Sequence, residues 1–285
     1  MIVVTGATGQ LGRLVIEQLL KRIPSSQIIA AVRSPEKAAD LAALGVEVRH
    51  ADYSQPATLD SALAGAQKVL LISSSELGQR LSQHKAVIDA AKRAGIKLLA
   101  YTSVLHADTS VLGLAREHVE TEAALRESGV PAVILRNGWY HENYTAGIPA
   151  ALSLGSVYGC AGEGRISSAT RNDYAEAAAV VLASDEQQAG RVYELAGDES
   201  YTLTDFVAHL SQHSAKTIPY VNLPQADYQG ALEQAGLPQP IAALLADSDT
   251  GASKGALFDD SHQLSALIGR ATTPVSVSIA TAVAG

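Results

Sequence analysis

Cysteine is nearly absent from this sequence, which holds a single one, Cys160, among 285 residues. A disulfide within the chain needs two cysteines, so none can form. Metal sites built from several cysteines are not expected for the same reason, and the composition is compatible with a reducing compartment. His209 and His213 lie four residues apart in a helical pattern, but the acid and the third ligand of a zinc site are missing. We therefore expect no metal.

Long apolar runs and an excess of positive charge are missing as well. No run of about 18 apolar residues occurs, and Ile2 begins a strand-like segment with no basic leader before it. The formal net charge is −8, which disfavours broad binding to nucleic acid or to an anionic membrane surface. We expect a soluble, cytoplasmic protein that binds neither nucleic acid nor membrane. No sequence feature indicates an oligomeric state.

Glycine is concentrated where the first apolar segment, residues 2–5, meets the first amphipathic one. Apolar residues recur at helical spacing from Leu11 to Leu20, after the sequence Gly-Ala-Thr-Gly-Gln-Leu-Gly. A strand, a glycine-rich turn and a helix form a dinucleotide site, because glycines admit a pyrophosphate and the helix N-terminus attracts its charge. An ordinary strand-to-helix turn is the alternative. We expect the cofactor to contact Gly6, Ala7, Thr8, Gly9, Gln10, Leu11 and Gly12.

The second predicted strand, residues 27–32, ends in a cation rather than an acid. Arg33 follows it directly and Lys37 lies nearby, whereas the first acid is Glu36. An NAD site usually offers a carboxylate here to the ribose 2′-hydroxyl, and an NADP site offers a cation to the 2′-phosphate. Because a guanidinium suits a phosphate, Arg33 favours NADP(H) over NAD(H), with a solvated surface arginine as the alternative.

Strands and helices alternate regularly up to about residue 136. Six alternations predict a doubly wound parallel sheet, because parallel strands need crossover helices. Ligands bind at the carboxyl ends of the strands in such sheets. Asp52 and Tyr53, after the third strand, either border the adenine or cap a turn. After the fourth strand we expect cofactor contacts from Ser73, Ser74 and Ser75.

The rhythm changes near residue 200, where clean alternation stops and four prolines fall between residues 219 and 240. We predict a dinucleotide-binding domain over 1–200, in which 143–165 loops toward a second domain. Residues 201–285 would form that smaller substrate-binding or lid domain. Apolar and polar residues alternate over 275–279, which predicts a short strand in the tail.

A polar and aromatic segment follows the sixth predicted strand and holds the only tryptophan. A buried aromatic cluster under a loop is one interpretation. The position of the segment at a strand's carboxyl end favours contact with cofactor or substrate instead. We expect cofactor contacts from Asn137, Gly138, Trp139 and Tyr140.

These motifs resemble the NmrA-like atypical short-chain dehydrogenases, and within them the bacterial NAD(P)H:quinone oxidoreductases of type 2. The resemblance covers nearly the full chain and is carried by residues 6–12, 33–35, 101–103 and 136–140, most specifically by the glycine turn and by Asn-Gly-Trp-Tyr. It implies an NAD(P)-binding Rossmann fold of the α/β class with a smaller C-terminal domain. It also implies NADP(H) as cofactor, without flavin or metal, and a small-molecule quinone as substrate.

The catalytic Tyr-x-x-x-Lys of ordinary short-chain dehydrogenases is missing. The register set by Glu120 puts Leu112 at the tyrosine position and Arg116 at the lysine position. Reduction of a carbonyl carbon leaves a strongly basic alkoxide that needs a proton donor. The chain is therefore not expected to be an alcohol or ketone dehydrogenase.

Reduction of a quinone makes a smaller demand on the protein. Hydride transfer to a quinone leaves a delocalised, phenolate-like anion, which water or a weak hydrogen-bond donor stabilises. The protein then mainly holds nicotinamide and quinone face to face. Ser103 and His106 are weaker candidate donors. The candidates for the substrate wall are Tyr140, His141, Asn143 and Tyr144.

A protein that binds NADP(H) as a signal and regulates a partner, without turnover, is the alternative. Some NmrA-like proteins are thought to act in this way, and loss of the tyrosine–lysine pair is equally expected in them. The resemblance to the quinone reductases favours the NADPH-dependent enzyme, which would transfer two electrons directly as a hydride.

Overall fold

The computed structural model describes residues 1–76 and 78–285 and has an α/β architecture. Seven strands form one sheet in the order β3-β2-β1-β4-β5-β6-β8, and the remaining two form a small parallel sheet. The predicted doubly wound parallel sheet is confirmed, since the strands from β1 to β6 pair in parallel along that order. The strands are β1 Ile2–Thr5, β2 Ile28–Val32, β3 Glu47–His50, β4 Lys68–Leu71, β5 Leu98–Val104, β6 Ala132–Asn137, β7 Val157–Gly159, β8 Val192–Leu195 and β9 Tyr220–Asn222.

Helices cross over between the parallel strands, as the alternation predicts. Short 3-10 turns at Ser25–Gln27 and Pro35–Ala38 lead into β2 and out of it. The helices are α1 Gln10–Leu20, α2 Ala39–Ala43, α3 Pro56–Leu63, α4 Arg80–Ala94, α5 Ala115–Ser128, α6 His141–Thr145, α7 Ile148–Leu154, α8 Arg171–Ala183, α9 Leu203–Ser214, α10 Gln225–Gln234, α11 Gln239–Ser253, α12 Gln263–Ile268 and α13 Val275–Ala284. Among these described residues, no helix is both long and apolar enough to traverse a lipid bilayer.

The centre of the sheet is buried on both faces. Every residue of β1, β2 and β5 is buried, which explains why these strands are continuous apolar runs rather than alternating ones. Ile2 of β1 pairs with Ile28 of β2 on one side and with Lys68 of β4 on the other. From β1 the chain adds β2 and β3 toward one edge of the sheet, and then β4, β5 and β6 toward the other edge. The strand order therefore reverses between β1 and β4, which is the switch point of the sheet. Ligands of open α/β sheets bind outside the carboxyl ends of the strands at this point.

The chain divides into two compact units, each built from three segments. The first unit comprises 1–107, 117–137 and 171–193, and the second comprises 108–116, 138–170 and 194–285. This division differs from a single boundary at residue 200, because the segments 108–116 and 138–170 join the C-terminal residues. Long-range packing of this kind leaves no mark in local composition. The assignment of a lid or substrate-binding role to the C-terminal residues stays a prediction.

The predicted strand in the tail is wrong, because Val275–Ala284 forms helix α13. Pro274 immediately precedes the helix, a position where its fixed backbone angle and missing N–H are tolerated. Val275 and Ile279 lie four residues apart on one helical face and are both buried, and α13 packs against α9. Five alternating residues also satisfy this helical spacing, so the pattern was too short to distinguish the two structures.

Candidate functional site

The glycine turn after β1 folds back on itself so closely that a side chain would not fit. Gly6 has a φ of 60°, in the left-handed region, and its carbonyl accepts a hydrogen bond of 2.9 Å from the N–H of Gly9. A Cβ on Gly12 would lie 2.4 Å from the Gly6 carbonyl oxygen and 2.7 Å from the Cα of Ala7. Both neighbours are backbone atoms, so only glycine fits there.

The N-terminus of α1 is left open by its sequence. Gly9 occupies the capping position, and no described side chain caps the helix. The first turn contains no acid, so no carboxylate of that turn neutralises the partial positive charge of the helix end. This arrangement suits the binding of a pyrophosphate.

A cavity of about 400 Å³ opens at this helix end, at the carboxyl ends of the strands. Ala7, which the sequence placed among the contacts, is fully buried and does not line the cavity. The lining residues are Gly6, Thr8, Gly9, Gln10, Leu11, Gly12, Arg33, Ala51, Asp52, Tyr53, Ile72, Ser73, Ser74, Ser75, Glu76 and Gln83.

Ser73, Ser74 and Ser75 follow β4 and form one side of the cavity, which we call the serine wall. Buried side chains of the first unit hold this wall in place. The N–H of Ser73 donates to the hydroxyl oxygen of Thr102 at 2.9 Å. The N–H of Ser74 donates to Nε2 of His84 at 2.9 Å, and the Ser74 carbonyl accepts from Nε of Arg80 at 2.8 Å. Three side chains from β5 and α4 thereby satisfy the backbone of the wall and fix its position.

His84 plays this role as a neutral ring. Burial, together with the Arg80 cation, lowers the pKa of His84 to about 3. Because Nε2 accepts from the N–H of Ser74, Nδ1 carries the proton and donates to the Thr121 hydroxyl at 3.0 Å. Nothing in the residue order of α4 marks His84 for this purpose.

Arg33 lines the cavity and is strongly exposed. Its Nη1 donates to Oε1 of Glu76 at 2.9 Å, with 70% of the Arg33 side chain accessible. Hydrogen bonds from Ser54 hold the pKa of the Asp52 carboxyl below its usual range, and the Arg33 cation adds to that shift. The sequence interpretation of Arg33 missed Glu76, although it is the first acid after β4.

A second depression of about 540 Å³ lies beside α3, but it offers no comparable site. Its arginine, Arg49, donates to the carbonyls of Ala62 and Ala64 and pairs with Glu47. Because Arg49 is engaged in this way and the depression has no glycine turn beside it, the nucleotide is not assigned there.

Asn137, the last residue of β6, has a buried side-chain oxygen that the described residues do not satisfy. The residue is 6% exposed, and within residues 1–76 and 78–285 its Oδ1 has no hydrogen-bond partner. A buried polar atom without a partner destabilises the folded protein unless something else satisfies it. Its position at a strand's carboxyl end agrees with the expected cofactor contact, which stays a prediction.

Gly138, Trp139 and Tyr140 belong to the second unit and do not line the cavity described above. Ser103, a weaker candidate donor, is buried in the first unit and donates to Oε1 of Glu122 at 2.6 Å. His106 has a positive φ of 51°, an uncommon backbone conformation outside glycine.

Three of the four predicted substrate-wall residues lie on α6, and Tyr140 directly precedes that helix. His141 is buried and both of its ring nitrogens are engaged, Nδ1 with the Ser278 hydroxyl at 2.9 Å and Nε2 with the Ser168 carbonyl at 3.0 Å. Tyr140 and Asn143 are half-buried. His141 is therefore held in place by atoms of its own unit, and the substrate-wall role of all four residues stays a prediction.

Tyr144 is bound to a buried acid that the sequence analysis did not single out. Its hydroxyl donates to Oδ1 of Asp249 at 3.1 Å, and Oδ2 of Asp249 accepts from the Cys160 N–H at 3.0 Å. Burial raises the pKa of Asp249 to about 6, against the lowering effect of these hydrogen bonds. Burial and the nearby carboxylate raise the pKa of Tyr144 well above its usual range, so it does not release a proton readily.

The positions of the missing tyrosine–lysine pair lie in the second unit. Leu112 is buried, three residues before α5 begins, and a Cβ on Gly251 would lie 2.3 Å from it. Arg116 is exposed at the start of α5. Among the described residues, no group of three or more His, Cys, Asp or Glu side chains is placed to hold a metal ion.

Known proteins resemble this chain in both sequence and fold. The family model described as NAD(P)H-binding matches residues 6–185. Quinone oxidoreductase 2 of Escherichia coli (strain K12) is 59% identical over 279 residues, covering 98% of this chain and 97% of that protein.

Two solved structures extend the likeness to three dimensions. Escherichia coli NADPH-dependent quinone oxidoreductase QOR2, complexed with NADPH, has a TM-score of 0.96 and 58% identity over 99% of both chains. Citrobacter sp. triphenylmethane reductase, complexed with NADP(H), has a TM-score of 0.95 and 40% identity over 99% of this chain and 100% of that chain.

The strand order, the glycine turn and the cavity at the switch point define a dinucleotide-binding protein of the Rossmann type. The matches above then give the family. The chain belongs to the NAD(P)H-binding family, among its NmrA-like members, which confirms the resemblance that the sequence motifs predicted.

Proposed function

We propose that this chain is an NADPH-dependent quinone oxidoreductase that transfers two electrons directly as a hydride. The observation that carries the proposal is 59% identity, over nearly the full chain, to a protein named quinone oxidoreductase 2. The cavity of the first unit supports it, because its glycine turn and Arg33 supply what a 2′-phosphorylated dinucleotide needs.

The residues present fit such a cofactor. The glycine turn lines the cavity with no side chain at Gly6, Gly9 or Gly12, and Asn137 holds a buried acceptor with no partner among the described residues. The N-terminus of α1 would bind the pyrophosphate, and Arg33 would pair with the 2′-phosphate. The serine wall would lie along the side of the bound dinucleotide. NADPH bound there would supply the hydride.

Reduction of a quinone requires little acid–base catalysis from the protein. A quinone that accepts a hydride spreads the negative charge over its ring and oxygens, so no strong general acid is required. Tyr140, Asn143 and Tyr144 would bind and orient the quinone, and Leu112 and Arg116 would take no part in proton transfer. Flavin and metal are not needed for this two-electron step.

An anaerobic single-turnover experiment tests the hydride step. Protein loaded with one equivalent of NADPH is mixed with excess 1,4-benzoquinone, and NADPH loss and hydroquinone formation are followed. We expect equal amounts of both, and slower loss with NADPH deuterated at the transferred position of C4. Absence of an isotope effect on the chemical phase, or formation of one-electron products, would contradict direct hydride transfer.

A further inference from the structure

A chain of hydrogen bonds runs along the rim of the cavity between two of its predicted cofactor contacts. Arg33 donates to Oε1 of Glu76 at 2.9 Å, and Nε2 of Gln83 donates to Oε2 of Glu76 at 2.7 Å. The amide oxygen of Gln83 in turn accepts from the Ser74 hydroxyl. Glu76 therefore has both carboxylate oxygens engaged, and its place between Arg33 and Gln83 is defined by two partners.

These hydrogen bonds place the Glu76 carboxylate at Arg33, where the 2′-phosphate of NADPH is expected. Arg33 is the one cation among the described residues that line the cavity, and Glu76 and Asp52 line it too. Asp52 is engaged in its own turn, where its carboxylate accepts from the N–H and hydroxyl of Ser54. Glu76 is the acid whose charge is committed to Arg33.

A 2′-phosphate and Glu76 compete for the same guanidinium. Both are anions, so a phosphate that approaches Arg33 either displaces the carboxylate or is repelled by it. A nucleotide with a free 2′-hydroxyl has no such conflict, because Arg33 keeps its partner while that nucleotide binds. The ion pair is exposed, with 47% of the Glu76 side chain accessible, so its influence is moderate.

We propose that Glu76 is a specificity-determining residue that limits the preference of this cavity for 2′-phosphorylated nucleotides by holding Arg33. Gln83 orients it for this purpose, through the second carboxylate oxygen. The inference rests on the proposed function only in assuming that the cavity binds a nicotinamide dinucleotide. Glu76 thereby opposes Arg33, and the chain retains use of NADH beside NADPH.

Equilibrium binding separates this inference from the proposed activity, because it needs no quinone. Dissociation constants are measured calorimetrically for NADPH and NADH, and for the fragments 2′,5′-ADP and 5′-AMP, with the wild type and Glu76→Gln. Glutamine preserves the shape and the contact with Gln83 but removes the charge. We expect NADPH and 2′,5′-ADP to bind about threefold to fivefold more tightly, with NADH and 5′-AMP unchanged within about twofold.

Glu36→Gln is the matched control, because it removes the same charge from an exposed residue three positions after Arg33 that does not line the cavity. We expect it to change each constant by less than about twofold. In the background of Arg33→Ala, Glu76→Gln should lose most of its effect, since the carboxylate acts through the guanidinium.

Three results would overturn the inference. These are unchanged or weaker NADPH binding by Glu76→Gln, equal tightening of NADPH and NADH, and an undiminished gain in the Arg33→Ala background. Quinone reduction could be absent in every variant without affecting these outcomes, and it could be present while the inference fails.

Discussion

At the scale of single residues, Arg33 carries the choice between the two nicotinamide cofactors. Arg33→Ala should raise the dissociation constant of NADPH by about tenfold or more and that of NADH by less than about twofold, because only NADPH has a phosphate for the guanidinium to bind. Fluorescence titration of both nucleotides measures the effect. Equal losses for the two would remove the basis for assigning Arg33 to the 2′-phosphate.

Gly12 carries a different property, the close approach of α1 to the turn. Gly12→Ala should weaken NADPH and NADH to the same degree and reduce the free energy of unfolding by about 1–3 kcal/mol, because the new methyl group overlaps backbone atoms of Gly6 and Ala7. Titration and urea unfolding measure the two effects.

Gly230→Ala provides the control for that substitution. Gly230 lies within α10, and a Cβ there would meet nothing within 4 Å. We expect this variant to bind both nucleotides normally and to be stabilised by about 0.5–1 kcal/mol, since alanine favours helix over glycine. A Gly12→Ala variant as stable and as tight-binding as Gly230→Ala would show that the turn tolerates a side chain.

At the scale of secondary-structure elements, α11 buries an acid whose titration should be measurable. The folded-state pKa of Asp249 is raised to about 6 from 3.8, so its contribution to stability is present at acid pH and is lost as the pH rises through 6. Between pH 4.5 and pH 8, the wild type should lose about 2 kcal/mol relative to Asp249→Asn. Urea unfolding at both pH values provides the comparison.

Asp227→Asn removes the same charge from an exposed position in the first turn of α10. Its stability relative to the wild type should depend little on pH over the same interval. If Asp249→Asn also shows no pH-dependent difference, then Asp249 is not a buried acid with a raised pKa.

The elements also show what a sequence reveals about this fold. Continuous apolar runs identified the central strands, because each such signal lies within a few consecutive residues. The glycine turn and Arg33 line one cavity, and their contacts with the cofactor stay predictions. The tail helix was missed, since five residues fit both periods. Glu76 and Asp249 were missed because their roles depend on Arg33 and Tyr144, which are distant in sequence.

At the scale of the whole molecule, two units share the chain in interleaved segments. The first unit contains the nucleotide cavity and the buried side chains that hold its serine wall. The second contains the predicted substrate wall and the Tyr144–Asp249 hydrogen bond. The proposed function requires both, whereas binding of the cofactor as a signal requires only the cavity. Turnover therefore distinguishes the enzyme from the sensor.

Steady-state oxidation of NADPH with 1,4-benzoquinone tests the central claim most directly. The same mixture without protein measures the uncatalysed reaction between NADPH and quinone. We predict protein-dependent oxidation that saturates in both substrates and forms one hydroquinone per NADPH. Tight NADPH binding with no oxidation above the control, for benzoquinone and for several other quinones, would contradict the enzyme and favour the cofactor sensor.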